Sequence, residues 1–173
     1  KVAPPNTAEY ATGCPNCNNN RSAMGLAVEK IVYNILQELK LKVTKGLSDS
    51  LKKKWRQINE TKRIYPDFSI GSRIIDCKLS LGAIFKKDDN NQTTQNRYCS
   101  LGKVRFIVIE PWKGMTKRII KRGRNIICHV SALLNRIKDN KVREKYLKEL
   151  IVVLELDHRN PNVIIELRRT VKT

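Results

Sequence analysis

The sequence predicts an α/β protein, a central mixed β-sheet flanked by helices, and three observations carry that expectation. An apolar stripe with helical spacing runs from Ser22 to about Lys40. Two short alternating runs, Ile64–Ile70 and Arg73–Leu79, meet at Gly71-Ser72, a two-residue hairpin signal. After a segment of crossover length, the β-branched run Val104–Glu110 reads as a buried strand. A strand, a crossover and a second buried strand make a parallel βαβ unit.

Taken in order, residues 1–21 carry Pro4, Pro5, Gly13, Pro15 and a run of asparagines, and read as an irregular arm. Residues 22–173 then form a single domain. In the first helix Ala23, Leu26, Ala27, Ile31, Val32 and Ile35 recur at three- and four-residue steps, with Glu29 among them. Residues 44–64 are polar and basic around Trp55, and read as a loop with one helical turn. Beyond the hairpin, Leu79–Gly102 is polar, with a short helix near Thr93–Leu101. Pro111-Trp112-Lys113-Gly114 breaks the chain before a basic segment and a strand at Asn125–Val130. Ser131 is a good N-cap for a helix reaching about Leu150. Two late apolar runs, Ile151–Leu156 and Val163–Leu167, flank a polar turn and predict a terminal hairpin.

The chain has 173 residues, 40% of them hydrophobic, enough for a globular core. Lys and Arg total 35 against 16 acidic residues, a formal net charge of +19. So much self-repulsion on one small domain points to a polyanionic partner, nucleic acid first. No apolar run approaches the ~20 residues that cross a bilayer, and no basic amphipathic helix carries a broad aromatic face, so no membrane partner is expected. Lys52, Lys53 and Lys54 form one candidate phosphate-contacting cluster, and Lys117, Arg118, Lys121, Arg122 and Arg124 another.

Five cysteines, an odd number, argue against a secreted disulfide framework and for a reducing, cytoplasmic setting. Cys77 and Cys128 lie in strand-like runs, where a thiol acts as a small buried hydrophobe. Cys14-Pro15-Asn16-Cys17 has the spacing of half a zinc site, but no second pair follows, which favours free thiols over bound zinc.

The hairpin carries the chemistry. With Gly71 and Ser72 as its loop, Ile70 faces Arg73, Phe68 faces Ile75, and Asp67 faces Asp76. Opposed residues share a side of the sheet with Cβ atoms ~5 Å apart. Strand periodicity adds Lys78 to that side and sends Phe68, Ile75 and Cys77 to the other, toward the core. Two opposed carboxylates repel unless neutralised, and a hard divalent cation with oxygen ligands is the natural neutraliser. A lysine beside them can orient or help deprotonate a water. The plainer reading is a solvated strand edge, with Lys78 or Arg73 relieving the repulsion.

Pro66-Asp67 followed by Asp76-Cys77-Lys78 resembles the PD-(D/E)xK nuclease signature, within a helix–hairpin–helix–strand order spanning about residues 22 to 130. That superfamily includes most type II restriction endonucleases, archaeal Holliday-junction resolvases, mismatch-repair nickases and endonuclease subunits of some transposons. The resemblance implies a restriction-endonuclease-like core, with the motif on the second and third strands. It implies that Asp67 and Asp76 bind Mg²⁺ with the carbonyl of Cys77, Mn²⁺ substituting, and that Lys78 positions the attacking water. It implies that Glu29 holds a metal-bound water or a second ion. It also implies that hydrolysis leaves a 5′-phosphate and a 3′-hydroxyl. In such proteins the helix after the motif commonly presents polar or basic residues to the site or the DNA backbone. Gln92, Gln95, Arg97 and Tyr98 lie there, with a solvated helix face as the alternative.

The expected activity is therefore that of a DNA endonuclease, sequence-specific and homodimeric, because a two-strand cut needs two active sites. A structure-specific nuclease acting on branched DNA, and a DNA-binding module without catalysis, are the competing expectations.

Overall fold

The computed structural model describes residues 15–58, 65–87, 91–93, 96, 98, 100–117, 119–121, 125–157 and 160–172, with 15–21 and 119–121 described as backbone only. Helix α1 (Pro15–Glu38) leads into strand β1 (Thr44–Lys45), helix α2 (Asp49–Ile58) and the hairpin β2 (Phe68–Ile70) and β3 (Arg73–Lys78). A short α3 (Gly82–Phe85) precedes β4 (Lys103–Val108), β5 (Ile119–Lys121) and β6 (Asn125–His129). Three helices close the chain: α4 (Val130–Leu134), α5 (Asn140–Leu154) and α6 (Pro161–Thr170).

The strands form one six-stranded sheet in the order β1-β2-β3-β4-β6-β5. β1, β2 and β3 are antiparallel, β3, β4 and β6 are parallel, and β5 returns antiparallel on the edge. The sheet is thus mixed, with helices on both sides, as the sequence predicts. The hairpin register is also the predicted one: Phe68 pairs with Ile75, Ser69 with Ile74 and Ile70 with Arg73. Gly71 takes φ +58° at the turn, where a side chain would be strained. Gly102 passes close behind the same turn; a Cβ there would meet the Ser72 carbonyl oxygen at 3.1 Å.

Alternation along β3 separates two apolar layers. Phe68 and Ile75 join Val28, Val32 and Ile35 of α1, together with residues of α4, α5 and α6. Ile74, Phe106 and Val108 face the opposite way and pack with Leu51 of α2 and Ile84 of α3. The side of the sheet that carries Asp76 is therefore roofed rather than open to water. Its roof begins with α2, a ten-residue helix where the sequence predicts a loop with one helical turn. Leu51, Trp55 and Ile58 recur at four- and three-residue steps, an apolar stripe narrowed by the surrounding lysines.

Three further expectations are corrected. The first helix begins at Pro15, taking in residues assigned to the irregular arm. The helix expected from Ser131 to Leu150 is two helices. The first is capped by His129, whose Nδ1 accepts from the Ser131 N–H; the second by Asp139, whose carboxylate accepts from the N–H groups of Lys141 and Val142. The terminal hairpin is helical instead: Ile151–Leu154 continue α5, and Pro161 opens α6 at a position that needs no N–H. Leu147, Leu150, Ile151 and Leu154 keep helical spacing and stay buried. Short β-branched runs fit strand or helix equally well, and packing against α1 decides. The short helix near Thr93–Leu101 falls largely outside the described residues.

The α4–α5 junction is held by Arg143, buried on α5. Its guanidinium donates to the carbonyls of Ile137 at 2.7 Å, Lys138 at 3.3 Å and Lys172 at 2.9 Å. Removing the donor strands buried carbonyls and loses charge-assisted bonds. Arg143→Ala should therefore lower unfolding free energy by about 3 kcal/mol, read as an earlier urea midpoint at unchanged slope.

Candidate metal centre

Asp67 enters the site from the turn before β2. The chain reaches it through Tyr65 and buried Pro66, and the Asp67 carbonyl accepts from the Gly46 N–H at 2.9 Å. Its Oδ2 accepts from the Cys77 N–H at 2.6 Å. The ladder itself ends one residue earlier, at Phe68–Ile75, so Asp67 does not pair with Asp76 through backbone bonds. It reaches across to the β3 backbone with its side chain instead.

Asp76 lies in the middle of the sheet, between β2 and β4, and is 1% exposed. The Tyr98 hydroxyl lies 3.4 Å from its Oδ1, and the Asp67 backbone N–H also donates to the carboxylate. Lys78, on the same face of β3, places Nζ 2.7 Å from Asp76 Oδ2. Glu29 completes the group from α1: its carboxyl shares a hydrogen bond with that of Asp67. Three carboxyls, two from the hairpin segment and one from α1, thus gather beside the Lys78 ammonium.

The electrostatics follow from burial. Loss of water raises the Asp67 carboxyl to about 6, against the Cys77 N–H, which lowers it; Glu29 adds to the rise. Burial likewise lifts Asp76 to about 6, with Lys78 opposing and Asp67 adding to it. For Lys78 burial pulls the pKa down, but the attraction and hydrogen bond of Asp76, with Asp67 behind it, win and leave it raised. Lys78 is therefore held as an ammonium. In this state it can donate hydrogen bonds and neutralise charge, but it cannot accept a proton from water. Burial and the surrounding carboxylates push the Cys77 thiol well above its usual value, and its side chain packs into the apolar layer on the face of β3 opposite Asp76. Only its backbone carbonyl remains a candidate.

Among the described residues, no group of three or more His, Cys, Asp or Glu side chains is arranged to hold a metal ion. The donors present are nonetheless hard oxygens, and Mg²⁺ commonly takes one or two carboxylates and completes its shell with waters and phosphate oxygens. The residues fit a hard divalent cation that shares its shell with a phosphate.

The predicted phosphate contacts are placed in part. Lys52, Lys53 and Lys54 are exposed along α2, whose apolar stripe covers the Asp76 side of the sheet. Lys117 is exposed beyond β4, and Lys121 lies on the edge strand β5. Gln95, Arg97, Arg118, Arg122, Arg124 and Cys14 lie outside the described residues, and Cys17 is described only as backbone within α1. Tyr98 emerges as a contact of Asp76, a role its sequence neighbourhood gave no reason to separate from its neighbours.

Two clefts lie elsewhere. One, of about 390 Å³, is lined by Asn34, Gln37 and Lys145; the other, of about 550 Å³, by Trp112, Glu166 and Arg169. Neither includes the carboxylates. Among the described residues no helix is long and apolar enough to cross a membrane. No protein-family model, no curated protein and no solved structure matches the chain.

Proposed function

We propose that this chain is a Mg²⁺-dependent DNA endonuclease with a PD-(D/E)xK-type site on a restriction-endonuclease-like core. The observation that carries the reading is the buried Asp76 carboxylate paired with Lys78 at 2.7 Å, beside Asp67 and Glu29, in a protein of charge +19. The strand arrangement supports it, with the acidic residues on an antiparallel hairpin that continues into parallel strands.

In this mechanism Asp67 and Asp76, with the Cys77 carbonyl, would hold the cation, and Mn²⁺ would serve in place of Mg²⁺. When bound, the ion lowers the pKa of water and neutralises charge on the scissile phosphate. Lys78, already protonated, orients the attacking water and stabilises charge building on the phosphate oxygens. Glu29, beside Asp67, would hold a water of the ion's shell or a second ion. The products carry a 5′-phosphate and a 3′-hydroxyl.

DNA is the expected polyanion, with Lys52, Lys53 and Lys54 on its backbone and the basic segment around Lys117 and Lys121 flanking it. A homodimer acting on a specific duplex sequence supplies two sites for a double-strand cut. A second reading, a nuclease for branched DNA, is favoured by the exposed lysines of α2, since backbone contacts read shape rather than sequence. Linear plasmid and a four-way junction, each with Mg²⁺, separate the two. Discrete plasmid fragments support sequence specificity, and cutting confined to the junction supports the second reading. If neither is cut by native protein, the enzyme reading is wrong and a binding module remains.

The lysines make their own prediction. Replacing Lys52, Lys53 and Lys54 together by Ala should reduce the slope of log affinity against log salt by about 2.7 on duplex DNA. Fluorescence anisotropy across a salt series measures it, and an unchanged slope removes α2 from the interface.

A further inference from the structure

Tyr98 is the group at the acidic cluster that the proposed reaction does not use. It is buried, 7% exposed, in the connection that precedes β4, and its ring stacks on Phe106 of that strand at 6.3 Å and 10°. Its hydroxyl reaches two oxygens at once: the Tyr65 carbonyl at 3.3 Å and Asp76 Oδ1 at 3.4 Å. One belongs to the chain two residues before Asp67, the other to the carboxylate of β3.

A phenol carries one proton and both partners are acceptors, so the arrangement is a shared, three-centre hydrogen bond, in keeping with two long distances. Such a bond ties together the two segments that deliver the carboxylates. The ladder stops at Phe68, and beyond it Asp67 is tied to β3 by its N–H on the Asp76 carboxylate and by its Oδ2 on the Cys77 N–H, with the Tyr98 hydroxyl bridging the same two segments. Asp76 is oriented by Lys78 on Oδ2, by Tyr98 on Oδ1 and by the Asp67 N–H, so losing the hydroxyl removes one of these three restraints on the carboxylate.

We propose that Tyr98 is a positioning residue: its hydroxyl sets the orientation of Asp76 and the spacing from Asp67, and so the affinity for the divalent cation, without touching the ion. This rests on the metal-site reading above. Groups that orient a ligating carboxylate typically contribute 10- to 100-fold in metal affinity. The bond also strengthens when Asp76 ionises, because the acceptor becomes charged.

The test is Tyr98→Phe, which keeps the ring on Phe106 and removes only the hydroxyl. Mn²⁺ binding to DNA-free protein, followed by water-proton relaxation, should weaken by about 10-fold. The Mn²⁺ concentration for half-maximal DNA cutting should rise in parallel, with the rate near native at saturating metal. A merely structural role would lower the melting temperature and leave the metal midpoint in place, and that result overturns the proposal. Asp76→Ala run alongside separates the two ideas. If Asp76→Ala loses Mn²⁺ while Tyr98→Phe binds as native does, the role of Tyr98 fails and the metal site stands. If native and Asp76→Ala bind Mn²⁺ alike, the metal-site reading fails and takes this one with it.

Discussion

Asp76→Ala should reduce Mg²⁺-dependent DNA cleavage by on the order of 10³-fold while leaving the protein folded. Asp76 is the carboxylate most enclosed by the sheet, and Lys78, Asp67 and Tyr98 all act on it. Lys78 is paired to it, Asp67 repels it, and Tyr98 is aimed at it. Without Asp76 the cation loses a ligand and Lys78 loses the partner that points its ammonium toward the phosphate. The fold should survive because burial disfavours the ionised form of this group, so its removal relieves a cost. Lys78, a quarter exposed, can turn its ammonium to water. The check is a single-turnover cleavage rate together with a melting curve in EDTA at pH 7.5. Loss of activity with the melting temperature held within about 5 °C is the expected pair. Cleavage at the native rate would remove Asp76 from the chemistry.

The second large effect is on pH. Both Asp67 and Asp76 are raised from 3.8 to about 6, which means the folded state holds these protons more tightly than the unfolded chain. The sign follows from linkage: the stabilisation from the protonated pair is present below pH ~4, and is lost as pH rises toward about 6. Metal-free protein should therefore lose stability across that window on account of these two groups. The rest of a chain of charge +19 titrates as well, so the informative quantity is a difference. The melting temperature of Asp67→Asn/Asp76→Asn minus that of native, in EDTA, should grow from pH 4 to pH 7. Mg²⁺ competes with the same protons, so its stabilisation of native protein should be absent near pH 4.5 and appear above pH 6. A metal effect independent of pH would mean that the ion binds elsewhere.

Much of this was legible in the chain. Period-two alternation around Gly71-Ser72 determined a hairpin, and the turn determined its register, because a one-residue slip would send Phe68 and Ile75 away from α1. The crossover after Lys78 determined that β3 and β4 run parallel. Local patterns failed where two structures share one composition. Ile151–Leu154 and Val163–Leu167 are as apolar and β-branched as strands, and only burial beneath the α1 layer makes them helices. The α2 helix was hidden for the opposite reason, its three apolar anchors being outnumbered by the seven polar and charged residues that face water.

The sequence by itself determined the hairpin register as far as Phe68–Ile75, placed Lys78 on the face of Asp76, and offered a glutamate on the first helix. Tertiary structure alone decided their chemical state. Burial of Asp76 under the layer that includes α2, Tyr98 and Phe106 strips its water and lifts its carboxyl to about 6, while the attraction of that carboxylate outweighs burial at Lys78 and keeps it charged. Spacing along a chain sets which side chains share a face; the field they feel depends on everything folded over them, and that is written nowhere near the motif.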